Sequence, residues 1–401
     1  MPQTTFIFRA LAILVVAIIP ILTRAQDRCG TVQYMKNLQG NKIDQNRTDF
    51  EKWMDRRLRQ SKSKDVQRQQ AIYQIPVVVH VIHNGEPVGN GKNISDAQVL
   101  SQISVLNEDY QRLNTDAPST PTEFQGLAGS LDVEFVLAKQ DPEGFGTTGI
   151  VRVQGPQTSW SINDNYELKA LSYWPGEDYL NIWVCSLTGV LGYSQFPVSG
   201  LPGLENSSDN RLTDGIVIAY NAFGSMDDGD FDLLAKYRKG RTTTHEVGHF
   251  LGLRHIWGDD EGQCEGTDYV NDTPNQSGNS NGCPSHPQVT CGVTSMYQNY
   301  LDYTDDVCMN LFTSGQIERM TVVLENSPRR ATLLTSHGLS DPQPQANDLG
   351  IRLVLSPLDG ECAAEITPIV EVRNYGGNAA TSAQINLAID GVSVQTQEFK
   401  F

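Results

Sequence analysis

Residues 243–264, TTHEVGHFLGLRHIWGDDEGQC, hold three of the chain's seven histidines. His245 and His249 are four apart, so on a helix they leave one face about a turn apart, close enough to bind one metal ion at ~2.0–2.1 Å through ring nitrogens. His255 lies six residues beyond His249. A straight continuation would carry it ~9 Å along the axis and onto another face. It joins the pair only if the helix stops in between, and Gly252 offers that stop, because glycine tolerates the positive φ at which chains leave helices. Three neutral imidazoles with one coordination position left open are the donor set of a catalytic zinc site, not of a closed structural one. Glu246, beside the first ligand, is placed to act as general base on a metal-polarised water, which would then attack a carbonyl.

The run from His245 to His255 has the form of the extended zinc signature of metzincin metalloproteases. Together with IPVVVHVIHN, DTPNQ and NYLDYTDDVCMNLFTSGQIERM it resembles the pappalysins, most closely their bacterial, ulilysin-like branch, over roughly residues 73–335. The resemblance implies a twisted sheet with a backing helix, an active-site helix, and below the zinc a turn that carries methionine. Here that turn is NYLDYT with Leu301 at the methionine position, a departure that keeps an apolar floor of similar volume. It also implies that Tyr303 swings toward the metal and donates to the developing oxyanion.

Further site residues follow from the same resemblance. Disulfides Cys264–Cys291 and Cys283–Cys308 are implied, although by sequence alone these four cysteines leave three pairings open. Cys29, in DRCGT, matches the latency cysteine of related zymogens, whose thiolate would fill the fourth zinc position. A lipid-modified or unstructured cysteine is its alternative. The stretch EGTDYVNDTPNQ is rich in oxygen ligands and suits calcium, with Asp268, Asp272 and Thr273 as candidates beside the bland reading of a solvated acidic loop. Asp305 and Asp306 follow the turn, where relatives build the pocket for the residue after the scissile bond. Carboxylates there would favour Arg or Lys, unless both are exposed turn residues. With that preference, RRLRQSKSKDVQR offers self-cleavage between about Arg56 and Arg68.

These groups need elements to position them. Residues 1–25 carry Arg9, an uncharged run from Ala10 to Thr23, and small residues at Thr23 and Ala25. The run is broken by Pro20 and falls short of the ~20 residues a span requires, so it reads as a secretory signal cut after Ala25. No later stretch spans a bilayer, so the mature protein is expected to be secreted, where disulfides persist. Two of the seven cysteines fall elsewhere, Cys185 inside a strand and Cys362 in the tail.

Residues 26–70 hold 11 Lys and Arg against 6 Asp and Glu, whereas residues 71–401 hold 17 against 41. A basic pro-segment on an acidic body suggests mutual attraction, the alternative being a solvated helical tail. The acidity excludes nucleic acid as a natural partner and leaves protein or peptide substrates and the chain's own pro-segment. YQIPVVVHVIHN, LDVEFVLA, LNIWVCSL and GIVIAYNAF read as strands, and a helix follows Ser95. Residues 71–337 thus form an α/β (α+β) metzincin-like domain with a twisted mixed sheet. After a linker at 338–348, residues 349–401 alternate as short strands with a hairpin at Asp390-Gly391. An immunoglobulin-like sandwich needs ~100 residues, so this all-β unit is partial. The expectation is a secreted zinc endopeptidase made as a latent zymogen. Its rivals are a binding or adhesion protein on a degenerate protease scaffold, supported by Leu301 alone, and a zinc amidase of non-peptide substrates.

Overall fold

A computed structural model describes residues 26–63, 72–198, 211–259, 262–342, 346–356, 367–389 and 392–401. The proposed signal, the end of the leader, Cys362 and the Asp390-Gly391 turn lie outside these residues. The expected strands assemble into one mixed sheet. Its members are β1 (Asp27–Cys29), β2 (Tyr73–His83), β4 (Val133–Leu137), β5 (Ile150–Gln154), β6 (Leu180–Cys185), β7 (Val190–Ser194) and β8 (Ile216–Ala219), while β3 (Ala128–Gly129) pairs apart with Phe312–Thr313. The order is β1-β7-β8-β6-β2-β4, with β5 continuing along the free edge of β2. All pairs are parallel except β7 with β8.

The β-branched run of β2 is buried on both faces, as a central parallel strand requires. Ile75, Val77, Val79 and Val81 face one core and Ile82 the other. Helix α3 (Asp96–Tyr110) starts where Ser95 accepts the Gln98 amide at 3.1 Å. It lays Val99, Ile103, Leu106 and Tyr110 against the first core. In the same core lie Val247 and Phe250 of the histidine helix, Arg241–Phe250, and Met320 and Leu324 of the closing helix, Ser314–Asn326. Arg241 anchors the start of the histidine helix on Asp116 and Asp109, and Asp109 also accepts the hydroxyls of Thr244 and Tyr300 at 2.8 Å each.

The leader is docked, not a solvated tail. Helix α1 (Thr31–Gln39) and helix α2 (Ile43–Ser63) follow β1, which adds to the edge of β7. Phe50, Trp53 and Met54 of α2 are buried against Phe196, Val322 and Val323. Each such side chain stabilises the docked state by roughly 1.5–3 kcal/mol.

Beyond the body, Leu349–Ser356 pairs with Ile369–Asn374 and Ser382–Ile389 with Val392–Lys400, both antiparallel. Ile351, Val354, Ile389, Val392 and Phe401 remain exposed. Among the described residues the tail is therefore two strand pairs, not a closed sandwich.

Candidate active site

The histidine helix ends as its sequence requires: Gly252 takes φ +87° and the chain doubles back, bringing His255 over the helical pair. The Nε2 atoms of His245, His249 and His255 lie 3.1–3.2 Å from one another. Their Nδ1 atoms point outward, that of His245 to the Tyr300 carbonyl at 2.7 Å, that of His249 to the Leu253 carbonyl at 2.8 Å and that of His255 to Asp259 at 2.6 Å.

A carbonyl oxygen only accepts, so His245 and His249 carry their protons on Nδ1 and turn bare Nε2 lone pairs inward. Burial keeps both rings neutral, with the pKa of His249 lowered to about 3 and that of His245 far below the usual range. Converging lone pairs at this distance repel unless a cation sits among them. The donor set fits zinc.

Cys29 Sγ completes the group: its ligand atom and those of the three histidines all lie within 4.8 Å of one another, and all four residues are buried. The leader fills the rest of the site residue by residue. The Thr31 hydroxyl accepts the Ser194 amide at 2.8 Å and donates to Glu246 Oε2 at 2.8 Å. Burial raises the Glu246 carboxyl to about 7. The Tyr303 hydroxyl donates to the Cys29 carbonyl at 3.3 Å, and its ring lies against His245, His255 and Trp257. Burial pushes the Tyr303 hydroxyl pKa well up, so it stays a donor at neutral pH.

Arg28 is buried, donating to Asp306 Oδ1 at 2.8 Å and to the Thr304 carbonyl at 2.5 Å. Asp306 Oδ2 is held by the amides of Lys239 and Arg241 at 3.0 and 3.2 Å.

Residues 165–325 match the peptidase family described as pregnancy-associated plasma protein-A. An extracellular metalloprotease of Arthroderma benhamiae is 32% identical over 279 residues, 66% of this chain and 79% of its own length. A mutant of Tannerella forsythia promirolysin superposes with a TM-score of 0.66 at 41% identity, covering 77% of this chain and 97% of that one. Mature mirolysin of the same organism, in complex with a cleaved peptide, gives 0.61 at 45% identity over 68% and 99%. The chain belongs to the pappalysin family. It is a zinc metalloendopeptidase, with curated relatives that bear the name extracellular metalloprotease. No helix among the described residues is long and apolar enough to cross a membrane.

In this pappalysin the two loop disulfides are Cys264–Cys291 and Cys283–Cys308, as the resemblance implied, and Cys185 is a buried free thiol in β6. Leu301 is fully buried in the core below the histidine helix, where Gly248 makes room: a Cβ there would come within 3.0 Å of Leu301 Cδ2. The floor is intact, which removes the one residue favouring a degenerate scaffold.

One expectation is corrected. Asp305 does not join Asp306 beside Arg28; its carboxylate lies toward Lys236 at 3.7 Å, because the chain enters a short helical turn at Asp306. Of the calcium candidates, Thr273 donates to Asp268 at 2.8–2.9 Å, while Asp272 accepts the Thr313 hydroxyl at 2.7 Å and the Gly315 amide at 2.8 Å at the start of the closing helix. Burial raises Asp268 to about 7.

Sequence reading missed Thr31, Asp259 and Asp302. Asp259 had a signal, lying four residues after His255. Asp302 is buried between Leu301 and Tyr303, accepts the Ser280 and Tyr303 amides and Gln276, and had none.

Proposed function

We propose that the chain is a secreted endopeptidase made as a zymogen, latent while Arg28, Cys29 and Thr31 of the leader fill the active site. The observation that carries this reading is the simultaneous placement of Cys29 on the three histidines, Thr31 on Glu246 and Arg28 on Asp306. Zinc held by His245, His249 and His255 supplies a Lewis acid for water and for a peptide carbonyl. Glu246 takes the proton of the attacking water and returns it to the leaving amine, the work of a carboxylate placed beside the metal ligands. The Tyr303 hydroxyl, freed from the Cys29 carbonyl, donates to the oxygen on which charge develops.

Asp306 sits at the base of the pocket for the residue after the scissile bond. Arg28 there stands in for a substrate arginine, since a buried carboxylate selects a guanidinium or ammonium partner. Cleavage before Arg or Lys between about Arg56 and Arg68 then severs the leader and activates the enzyme.

The test is digestion of a denatured protein mixture by the activated enzyme, with cut sites read by mass spectrometry beside a Glu246→Ala copy. Chelator-sensitive cuts before Arg and Lys, absent from the copy, are expected. Cuts without preference at that position would reject the pocket assignment. Absence of cuts from a folded, zinc-loaded protein would reject the activity.

A further inference from the structure

The leader runs from Asp306 at Arg28, over the histidines at Cys29, to a cavity that Thr31, His249 and Arg254 line, and beside that cavity two guanidiniums converge. Arg254 stands between His249 and His255 in sequence, and Arg319 projects from the closing helix and is 1% exposed. Both end on Glu51 of α2. Arg319 donates through Nη1 and Nη2 to the two carboxylate oxygens at 2.7 and 2.9 Å, and Arg254 Nε donates to Oε1 at 2.8 Å. Among the described residues, Glu51 is the one carboxylate bonded to either arginine. Two neighbouring acids are engaged elsewhere, Asp259 with His255 and Asp268 with Thr273.

An aromatic wall accompanies the charges. Phe50 packs on Phe196 at 5.1 Å, and Arg254 lies over the Phe196 ring at 4.7 Å. A cavity of about 270 Å³ between leader and body is bounded by His249, Leu253, Arg254, Phe196 and Phe50. Arg254 therefore lines the same cavity as the metal-binding ring of His249, while Arg319 lies behind it and meets the leader through Glu51. Departure of the leader takes Glu51 away and leaves the guanidinium donors it occupied free for another carboxylate.

We infer that Arg254, Arg319 and Phe196 form a subsite for an acidic residue of the substrate on the side before the scissile bond, matched best by an aromatic–acidic pair such as Phe50-Glu51. This rests on the proposal that the leader leaves on activation and that the Asp306 pocket takes the residue after the cut. The body as a whole is acidic, 17 basic against 41 acidic residues over 71–401, so this local positive site adds selectivity that net charge would oppose.

The test uses the enzyme activated from the full chain. Peptide pairs share one cleavage site and carry Phe-Glu or Phe-Gln at successive placements, from about three to about eight residues upstream, the span an extended strand covers along such a groove. At one or two adjacent placements the Glu peptide should show a KM about tenfold lower than its Gln partner, as a charge-assisted hydrogen bond provides. Arg319→Gln should erase that difference. Equal KM values at every placement would overturn the subsite.

Binding of a labelled peptide of residues 43–63, read by fluorescence anisotropy beside its Glu51→Gln version, decides independently of turnover and of how the variant folds. Weaker binding of the Gln peptide by about tenfold supports the subsite; equal binding overturns it. Absence of all cleavage with intact discrimination in anisotropy would overturn the substrate subsite and leave an anion site that serves the leader alone.

Discussion

Residues Asp27–Thr31 and residues Phe50–Met54 belong to one leader yet hold the body by different physics. The first stretch acts through single polar placements: a thiol on the histidines, a hydroxyl on Glu246, a guanidinium on Asp306. The second buries Phe50, Trp53 and Met54 and sets Glu51 on two arginines. Polar placements of the first kind contribute modestly to affinity, because each exchanges a hydrogen bond to water for one to protein, but they occupy the groups the chemistry needs. Apolar burial of the second kind touches no reacting group and supplies most of the grip. Latency and retention are thus separable, and substitutions should move one without the other.

The largest effect is expected at Glu246. In the released enzyme Glu246→Gln should lower kcat by about 10²–10⁴-fold, the usual worth of a positioned acid–base group, with bound zinc unchanged by elemental analysis. Loss of zinc alongside activity would show instead that the site had collapsed. Next, Trp53→Ala should weaken leader retention by about 3–5 kcal/mol, the cost of emptying a buried aromatic site. After cleavage the leader should leave much faster on size exclusion, while kcat of the released enzyme stays the same. A changed kcat would break the separation of the two regions.

Asp306→Asn should reduce kcat/KM for substrates with Arg after the scissile bond by roughly tenfold to a hundredfold. Peptides with Leu there, assayed in parallel, should be far less affected, and equal losses would indicate a structural role through the Lys239 and Arg241 amides.

The smallest effect concerns pH. Burial pushes Glu51 up, but Arg319 and Arg254 outweigh it and hold the carboxyl below its ordinary range. A group depressed in the docked state stabilises docking above its ordinary pKa and loses that contribution as pH falls through the docked value. Leader dissociation should therefore quicken below about pH 4, and Glu51→Gln should flatten that part of the profile. An unchanged profile would place the acid sensitivity elsewhere.

Much of the site was legible because its geometry is local. His245, His249 and Gly252 lie within eight residues, so helical spacing and one glycine determine how the ligands meet. The β-branched run of β2 and the Ser95 cap are likewise short-range signals. What escaped depends on distant segments. Thr31 reaches Glu246 only because β1 pairs with β7 in a register that sets Cys29 against Gly192, and Gly192 leaves space for the Glu246 side chain. Asp305 and Asp306 are equivalent by sequence; the three-residue turn that starts at Asp306 buries one carboxylate and leaves the other half-buried. The bonds of Asp272 to Thr313 and Gly315 at the start of the closing helix were equally illegible, because they join segments about forty residues apart.

The most direct test of latency and activity together is hydrolysis of a protein substrate by the zinc-loaded full chain carrying Cys29→Ala, beside the unaltered chain and a Cys29→Ala, Glu246→Ala double variant, before any leader cleavage is detectable. The account predicts chelator-sensitive hydrolysis, or far faster self-activation, from the Cys29→Ala chain, with silence from the other two. Silence from the Cys29→Ala chain with zinc bound, or hydrolysis that survives in the double variant, would contradict it.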